Sequence, residues 1–171
     1  MEALWLICSA LLVESWLPGS RHRVWLLRAF GARIGEGVRA KPRLRVKFPW
    51  RLQVGARSWI GEGVWIDNLA PVEIGADCCI SQGVYLCTGG HDWSRRGFDL
   101  ITKPITLSDA VWIGAKAIVG PGVSAGAGAV LTLGSRATKD LAPWTIHDGF
   151  PCAPLKARIV AGVGAQNSAS T

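Results

Sequence analysis

The sequence predicts an all-β solenoid, a parallel β-helix of hexapeptide repeats, and three observations carry that prediction. An aliphatic residue returns every sixth position, at Val54, Ile60 and Ile66, then after a slip of two at Ile74, Ile80 and Leu86, and again at Leu107, Ile113, Val119, Ala125 and Leu131. A small or slim residue follows four positions behind each: Ser58, Val64, Ala70, Cys78, Val84 and Gly90, then Val111, Ala117, Val123, Ala129 and Ser135. Glycine stands directly after many of the aliphatic residues, as at Gly55, Gly75 and Gly114, where tight corners need unusual backbone angles. A period of six belongs neither to a helix nor to an ordinary strand, and it is a β-helix signature. Each unit makes one short strand and one corner, three units make a triangular coil, and the aliphatic side chain points into the prism. One coil cannot bury its own apolar face, so stability comes from stacking. A β-sandwich would instead alternate with period two and turn about every 8–12 residues.

Ahead of the repeats, residues 1–33 read as a helical flank. The run Leu4 to Val13 is apolar but too short to span a bilayer. It makes a poor signal peptide, because the first charge is Glu2 and no clean small-residue cleavage site follows. The expected location is therefore the cytoplasm. Arg21 to Phe30 carries Val24, Leu27 and Arg28 at helical spacing, with Gly31 placed as its C-cap. Both segments are expected to cap the solenoid, whose bare end would expose an apolar cross-section. The rival role is an interfacial helix, favoured by Trp5, Trp16 and Trp25 with nearby arginines, which would seat the protein at the inner face of the membrane.

The solenoid is expected over residues 34–142. In its first part Arg39, Lys41, Arg43, Arg45 and Lys47 alternate, which on a straight strand places them on one exposed face. A solvated edge that discourages strand pairing explains them; an acidic acceptor or an anionic membrane surface is the functional alternative. The formal charge of +7 is otherwise dispersed and accompanied by no nucleic-acid motif. The sixfold rhythm stops after Leu86, for an excursion from about Asp92 to Thr106, and resumes at Leu107. Residues 143–161 form a C-terminal segment with a short helix, and 162–171 are expected to be a disordered tail.

The 171 residues fit one domain. With 49% hydrophobic and 18% charged residues, some apolar surface is expected to end in subunit contacts. The five cysteines show no paired spacing of the zinc or disulfide type, and Cys78 sits at a small-residue repeat position. Of three histidines, His22 lies in a predicted helix and His147 after the last coil. His91 alone stands where a loop leaves a rigid scaffold, which is a natural place for a site.

Several segments together resemble the hexapeptide-repeat acyltransferases, and within them the sugar O-acetyltransferases of the colanic acid biosynthesis type. They are Phe48-Pro49-Trp50, the run from Ser58 to Pro71, Cys87-Thr88-Gly89-Gly90-His91-Asp92, Trp112-Ile113-Gly114-Ala115-Lys116-Ala117, Thr138-Lys139-Asp140 and Gly149-Phe150-Pro151-Cys152. The resemblance implies a left-handed coil, a homotrimer with sites between subunits, and acetyl-CoA as acyl donor, lying along the groove between two subunits. It implies His91 as the general base; Asp92, next to it, is a candidate to orient the imidazole or touch the acceptor, with a plain turn residue as the alternative. It implies donor contacts at Gly114, Ala115, Leu133, Gly134, Thr138, Lys139 and Lys156. The two lysines suit the phosphates of coenzyme A, which compact ammonium groups neutralise.

A thioester is already activated, so a sugar hydroxyl attacks it directly once neutral imidazole removes the proton and donors meet the oxyanion. On the acceptor side Asp67 and Asn68 are candidates to hydrogen-bond sugar hydroxyls, Tyr85, Trp65 and Trp93 to stack on a sugar ring, and Arg95 and Arg96 to meet a phosphate. Hexapeptide solenoids that hold catalytic zinc need three protein ligands, and one histidine inside the repeats does not supply them; no metal is expected. The remaining rival is a non-catalytic scaffold of a polysaccharide assembly system. At Ala125 the repeat departs from its usual bulk, which predicts a thinly packed coil.

Overall fold

The computed structural model describes residues 2–160 and consists of five full coils and part of a sixth, closed at the N-terminal end by helices. The tail expected from residue 162 onward lies outside the described residues. The first coil holds β1 (Arg33–Ile34), β2 (Arg39–Ala40) and β3 (Arg45–Val46), and the second holds β4 (Leu52–Val54), β5 (Trp59–Ile60) and β6 (Trp65–Asp67). The third holds β7 (Val72–Ile74), β8 (Cys79–Ile80) and β9 (Tyr85–Cys87). An inserted hairpin, β10 (Gly89–His91) and β11 (Leu100–Thr102), precedes the fourth coil of β12 (Ile105–Leu107), β13 (Trp112–Ile113) and β14 (Ile118–Val119). The fifth coil is β15 (Ser124–Ala125), β16 (Val130–Leu131) and β17 (Arg136–Ala137); β18 (Thr145–Gly149) and β19 (Cys152–Ala157) follow.

Strands at equal stations in successive coils pair in parallel and build three flat sheets. The first runs β1-β4-β7-β12-β15, the second β2-β5-β8-β13-β16-β18-β19 and the third β3-β6-β9-β14-β17. All eleven aliphatic repeat residues are buried, and the small partners Ser58, Cys78, Val111 and Ala129 sit inside the corners. The slip of two has a simple origin. Val54 pairs with Ile74, twenty residues on, whereas Leu107 pairs with Ala125, eighteen on. The early coils thus carry a two-residue enlargement, and Asn68 fills the corner that it creates. Gly90 departs from the small-residue series, because it lies on β10 rather than in a corner. Ala125 is buried, pairs with Leu107 and bridges to Leu141, so the reduced side chain leaves the ladder unbroken.

The N-terminal cap is α1 (Glu2–Cys8), continued by a wider π-helical turn over Ser9–Val13, and α2 (Arg21–Ala29). Trp5 is buried on this cap: its indole donates to the Val46 carbonyl at 2.9 Å and its ring packs on Phe30 at 5.1 Å. That corrects its assignment to an interfacial face, which only Trp16 and Trp25 retain. Gly31, at φ +95°, ends α2 as expected, with the Ala32 amide reaching the Leu27 carbonyl. The residue of α2 buried beyond the apolar stripe is Arg23, not Arg28.

Two further expectations are corrected. The C-terminal segment holds no helix among its described residues; β18 and β19 form an antiparallel hairpin that adds to the second sheet. Pro151 and Pro154 lack amide donors, which opposes a helix, and Gly149 supplies the turn at φ +101°. Arg158 then fastens the hairpin by donating to the carbonyls of Ala110 and Gly128. The basic residues from Arg39 to Lys47 do not share one face. They wrap the first coil from the second sheet, where Lys41 lies over the Trp59 ring, round a corner to the third, where Arg45 lies over Trp65. Among the described residues no helix is long and apolar enough to cross a membrane.

Candidate active site

The hairpin that carries His91 leaves the edge between the third and first sheets, where the third coil gives way to the fourth. It begins at Gly89, earlier than the expected excursion, because Gly89 to His91 pair with Thr102 to Leu100 in an antiparallel ladder. A Cβ at Gly89 would come within 2.6 Å of the end of the Leu69 side chain, which would have to shift, whereas at Gly90 it would meet open space.

His91 is exposed, and its imidazole is held from two directions. Nδ1 lies 2.8 Å from the Phe98 carbonyl, and the Phe98 ring stacks on the imidazole at 4.4 Å with an interplanar angle of 8°. A carbonyl only accepts, so Nδ1 carries the hydrogen in this pair and Nε2 keeps its lone pair in the neutral ring. That is the tautomer a general base needs. Phe98 takes φ +47°, a left-handed conformation uncommon for a bulky residue, and this aims its carbonyl back at His91. Sequence reasoning missed Phe98. Asp92 does not touch the imidazole: its carboxylate accepts from the backbone and hydroxyl of Ser94 and pairs with Arg95 at 3.4 Å. It shapes the hairpin turn, and the orienting role passes to the Phe98 carbonyl.

The residues expected to hold the donor divide between two edges. Gly114 and Ala115 follow β13, Leu133 and Gly134 follow β16, and these corners stack, with the Gly134 amide donating to the Ala115 carbonyl at 2.8 Å. They form the edge between the second and third sheets. The Gly114 amide is committed to the Leu131 carbonyl at 2.7 Å and is unavailable as an oxyanion donor. Among the described residues no acceptor takes the Ala115 amide, so Ala115 alone of this pair retains a free donor. Thr138 and Lys139 follow β17 on the other edge of the third sheet, the His91 edge, and both are exposed. Lys156 is exposed on β19. One chain therefore does not bring His91 and Ala115 together, since the third sheet lies between their edges.

That sheet carries the acceptor candidates. Trp65 stacks on Tyr85 at 4.5 Å with 23° between the planes, and Arg45 covers the far face of the same column. Asp67 accepts from the Tyr85 hydroxyl at 3.1 Å and pairs with Lys47 at 3.2 Å. Burial and the neighbouring Cys87 and Asp67 raise the Tyr85 pKa, so the phenol stays protonated and donating. Asn68 is not available to a sugar. It is fully buried, and its amide accepts from the Phe48 amide at 2.9 Å and donates to the Phe48 carbonyl at 2.7 Å. Trp93 stands exposed on the hairpin with Arg95 and Arg96. Among the described residues no three His, Cys, Asp or Glu side chains converge as metal ligands.

A prism of hexapeptide coils with one histidine on an inserted hairpin defines the class of hexapeptide-repeat acyltransferases. The chain belongs to the hexapeptide-repeat acetyltransferase family, being 35% identical over 149 residues to the putative colanic acid biosynthesis acetyltransferase WcaF of Escherichia coli, across 86% of this chain and 82% of the relative. It is also 28% identical over 134 residues to the galactoside O-acetyltransferase of Escherichia coli, covering 77% of this chain and 66% of that one. Among solved structures it is similar in fold to a hexapeptide-repeat acetyltransferase of Vibrio cholerae complexed with acetyl-CoA, at a TM-score of 0.84 and 24% identity over 93% of this chain and 87% of that chain. No protein-family model matches the chain.

Proposed function

We propose that this acetyltransferase moves an acetyl group from acetyl-CoA to a sugar hydroxyl, in the biosynthesis of a colanic acid-like exopolysaccharide or another surface glycan, with His91 as general base. The observation that carries the reading is the fixed tautomer of His91, whose Nε2 lone pair faces away from the Phe98 carbonyl. The match to the WcaF relative over most of both chains supports the donor and the glycan context.

In the reaction Nε2 takes the proton from the acceptor hydroxyl as its oxygen bonds to the thioester carbon. The carbonyl oxygen becomes an oxyanion, and the Ala115 amide is the donor offered to it. Collapse of the tetrahedral intermediate breaks the carbon–sulfur bond, and the imidazolium returns its proton to the departing thiolate. No covalent acyl-enzyme is needed. General base catalysis of this kind is worth roughly 10²–10⁴-fold.

Leu133, Gly134, Thr138, Lys139 and Lys156 are the proposed contacts for the rest of the donor, and Asp67, Tyr85 and Trp93 for the acceptor. The division of these residues between two edges supports a cyclic homotrimer, in which the His91 edge of one subunit meets the Ala115 edge of the next. A coenzyme A donor favours the cytoplasm.

Calorimetric titration with acetyl-CoA of the wild-type protein and of His91→Ala tests the proposal without knowledge of the acceptor. Saturable binding is expected in both, because His91 acts in the chemistry and not in holding the donor. A folded wild-type protein that binds no acetyl-CoA overturns the reading in favour of a scaffold.

A further inference from the structure

The N-terminal cap is apolar on two opposite faces. Trp5, Ser9 and Val13, spaced by four, are buried against the first coil, whereas Leu4, Ile7 and Leu11 form a stripe on the far side of the same helical run. Burial alternates between the two stripes along the run, so they lie on opposite sides of it. Among the described residues the outer stripe is largely uncovered: Leu11 is 67% exposed, and Trp16 and Trp25 beyond it are each 66% exposed. Exposed apolar area of this extent on a soluble fold marks an interaction site.

Its surroundings are cationic. A groove of about 1020 Å³ between α2 and the first coil borders both tryptophans and is lined by Arg21, Arg28, Arg39 and Lys41, opposed by Glu36 and Glu62. The Arg43 guanidinium lies over the Trp16 ring at 5.1 Å. The acidic residues of the cap itself are Glu2 and Glu14, and Glu14 accepts from the Ser9 hydroxyl. An apolar stripe, tryptophans at its border and a cationic rim are the three components of a surface that lies in a bilayer interface. A second copy of the chain fits less well, because a twofold contact sets each patch against itself and brings these cations face to face.

We propose that this cap docks the protein on an anionic bilayer surface, with the apolar stripe among the acyl chains and the basic groove over the headgroups. The acceptor is then a saccharide carried on a lipid, an extension that rests on the acetyl-transfer reading above. The solenoid sets the geometry. His91 leaves the prism after the third coil, two strand spacings of about 4.8 Å from the first, and the cap helix of about 10 Å diameter lies beneath that coil, so its root stands roughly 20 Å above the docked face. The proposed donor contacts at Ala115, Leu133 and Lys139 all lie farther along the axis. The donor side therefore faces away from the membrane and the acceptor side toward it.

Flotation of the full chain with phosphatidylcholine vesicles, with and without phosphatidylglycerol, tests the proposal. Binding is expected only with the anionic lipid and is expected to weaken with salt. Leu11→Asp is expected to lower partition by roughly tenfold or more, and Arg39→Glu, which reverses a charge, by roughly thirtyfold. Both variants are to be titrated with acetyl-CoA and sized by analytical ultracentrifugation. Undiminished acetyl-CoA binding with an unchanged oligomer and lost flotation supports docking. A wild-type protein that fails to float with anionic vesicles overturns it, and so does a Leu11→Asp variant that changes oligomeric state while floating normally, which assigns the face to a second copy. Wild-type flotation without acetyl-CoA binding leaves the docking surface standing and removes the transferase reading.

Discussion

The Nδ1–H of His91 donates to the backbone carbonyl of Phe98 across 2.8 Å while the Phe98 ring lies flat on the imidazole. The carbonyl sets the tautomer and the ring sets the tilt, so the two contributions separate by mutation. Phe98→Gly keeps the carbonyl and suits φ +47°, but removes the ring. Stacking of this kind is worth about 0.5–1.5 kcal/mol. Turnover is expected to fall by up to about tenfold with the KM for acetyl-CoA unchanged, and Phe98→Tyr is expected to restore it. Steady-state kinetics on all three proteins decides the matter; a Phe98→Gly enzyme with full turnover assigns the ring to hairpin stability alone.

Asn68 holds two backbone groups one coil away, the amide and the carbonyl of Phe48. Asn68→Ala leaves the Phe48 amide without a partner and the Phe48 carbonyl with only the Arg51 amide at 2.9 Å, and a buried polar group so stranded costs about 1–3 kcal/mol. A loss of about 1–3 kcal/mol in chemical denaturation is expected. Asn68→Asp is expected to be at least as harmful, because it turns the donor facing the Phe48 carbonyl into a second acceptor and buries charge. Acceptor KM measured on the folded protein should not change, and a selective rise in it would restore Asn68 to the sugar site.

Gly114 and Gly90 make a matched comparison. A Cβ at Gly114 would stand 2.5 Å from the Leu133 amide nitrogen and 2.6 Å from the Thr132 carbonyl carbon, both backbone atoms of the next coil. Accommodating it costs about 1–3 kcal/mol of overpacking, a fall of several degrees in Tm for a chain of this size. At Gly90 a Cβ meets nothing within 4 Å, and Gly90→Ala is expected to leave Tm unchanged or slightly raised. Calorimetric scans that rank the two variants the other way would contradict the coil spacing described here.

What the sequence reveals and what it hides follow from where each contact lies along the chain. The repeat is legible because Val54, Ile60 and Ile66 occupy one station per strand, so burial itself has a period of six. His91 is legible because the hairpin interrupts that period. Phe98 is not, because nothing in the local pattern marks a residue whose left-handed backbone turns its carbonyl toward a side chain seven positions earlier. Asn68 is hidden for a related reason: its partner lies twenty residues away, directly above it in the stack. The alternation from Arg39 to Lys47 misleads because period-two reasoning assumes a straight strand, and here a corner intervenes every few residues. Trp5 misleads because a helix apolar on two faces gives no sign of which face packs.

Arg23 ties the cap together. It is fully buried, and its guanidinium donates to the carbonyls of Val13, Ser15, Leu17 and Gly19, which gathers the whole connection between the two helices around one side chain. A planar five-donor fork suits this arrangement and a point-like ammonium does not. Both Arg23→Ala and Arg23→Lys are therefore expected to open the connection, read as amide exchange over residues 13–19 at least tenfold faster, while exchange in β5, β8 and β13 stays slow. Equal acceleration in those strands would show that the cap and the coils unfold as one unit.

The neighbouring His22 gives the cap a pH dependence whose sign is fixed by its surroundings. Burial first, and the adjacent Arg23 charge second, lower its pKa below the ordinary 6.5, partly offset by a bond to the backbone of Leu12. The folded protein thus holds His22 neutral at a pH where the unfolded chain already binds a proton, and stability rises with pH wherever the unfolded state binds more protons. The contribution is complete above about pH 6.5 and is lost as pH falls from there through the folded pKa. His22→Asn removes this group's share, so the stability difference between wild type and variant should shift against the wild type between about pH 7.5 and about pH 5. Denaturation midpoints at the two pH values measure it. A difference that stays constant, or that shifts in favour of the wild type on acidification, would show that the folded cap accepts the proton as readily as the unfolded chain.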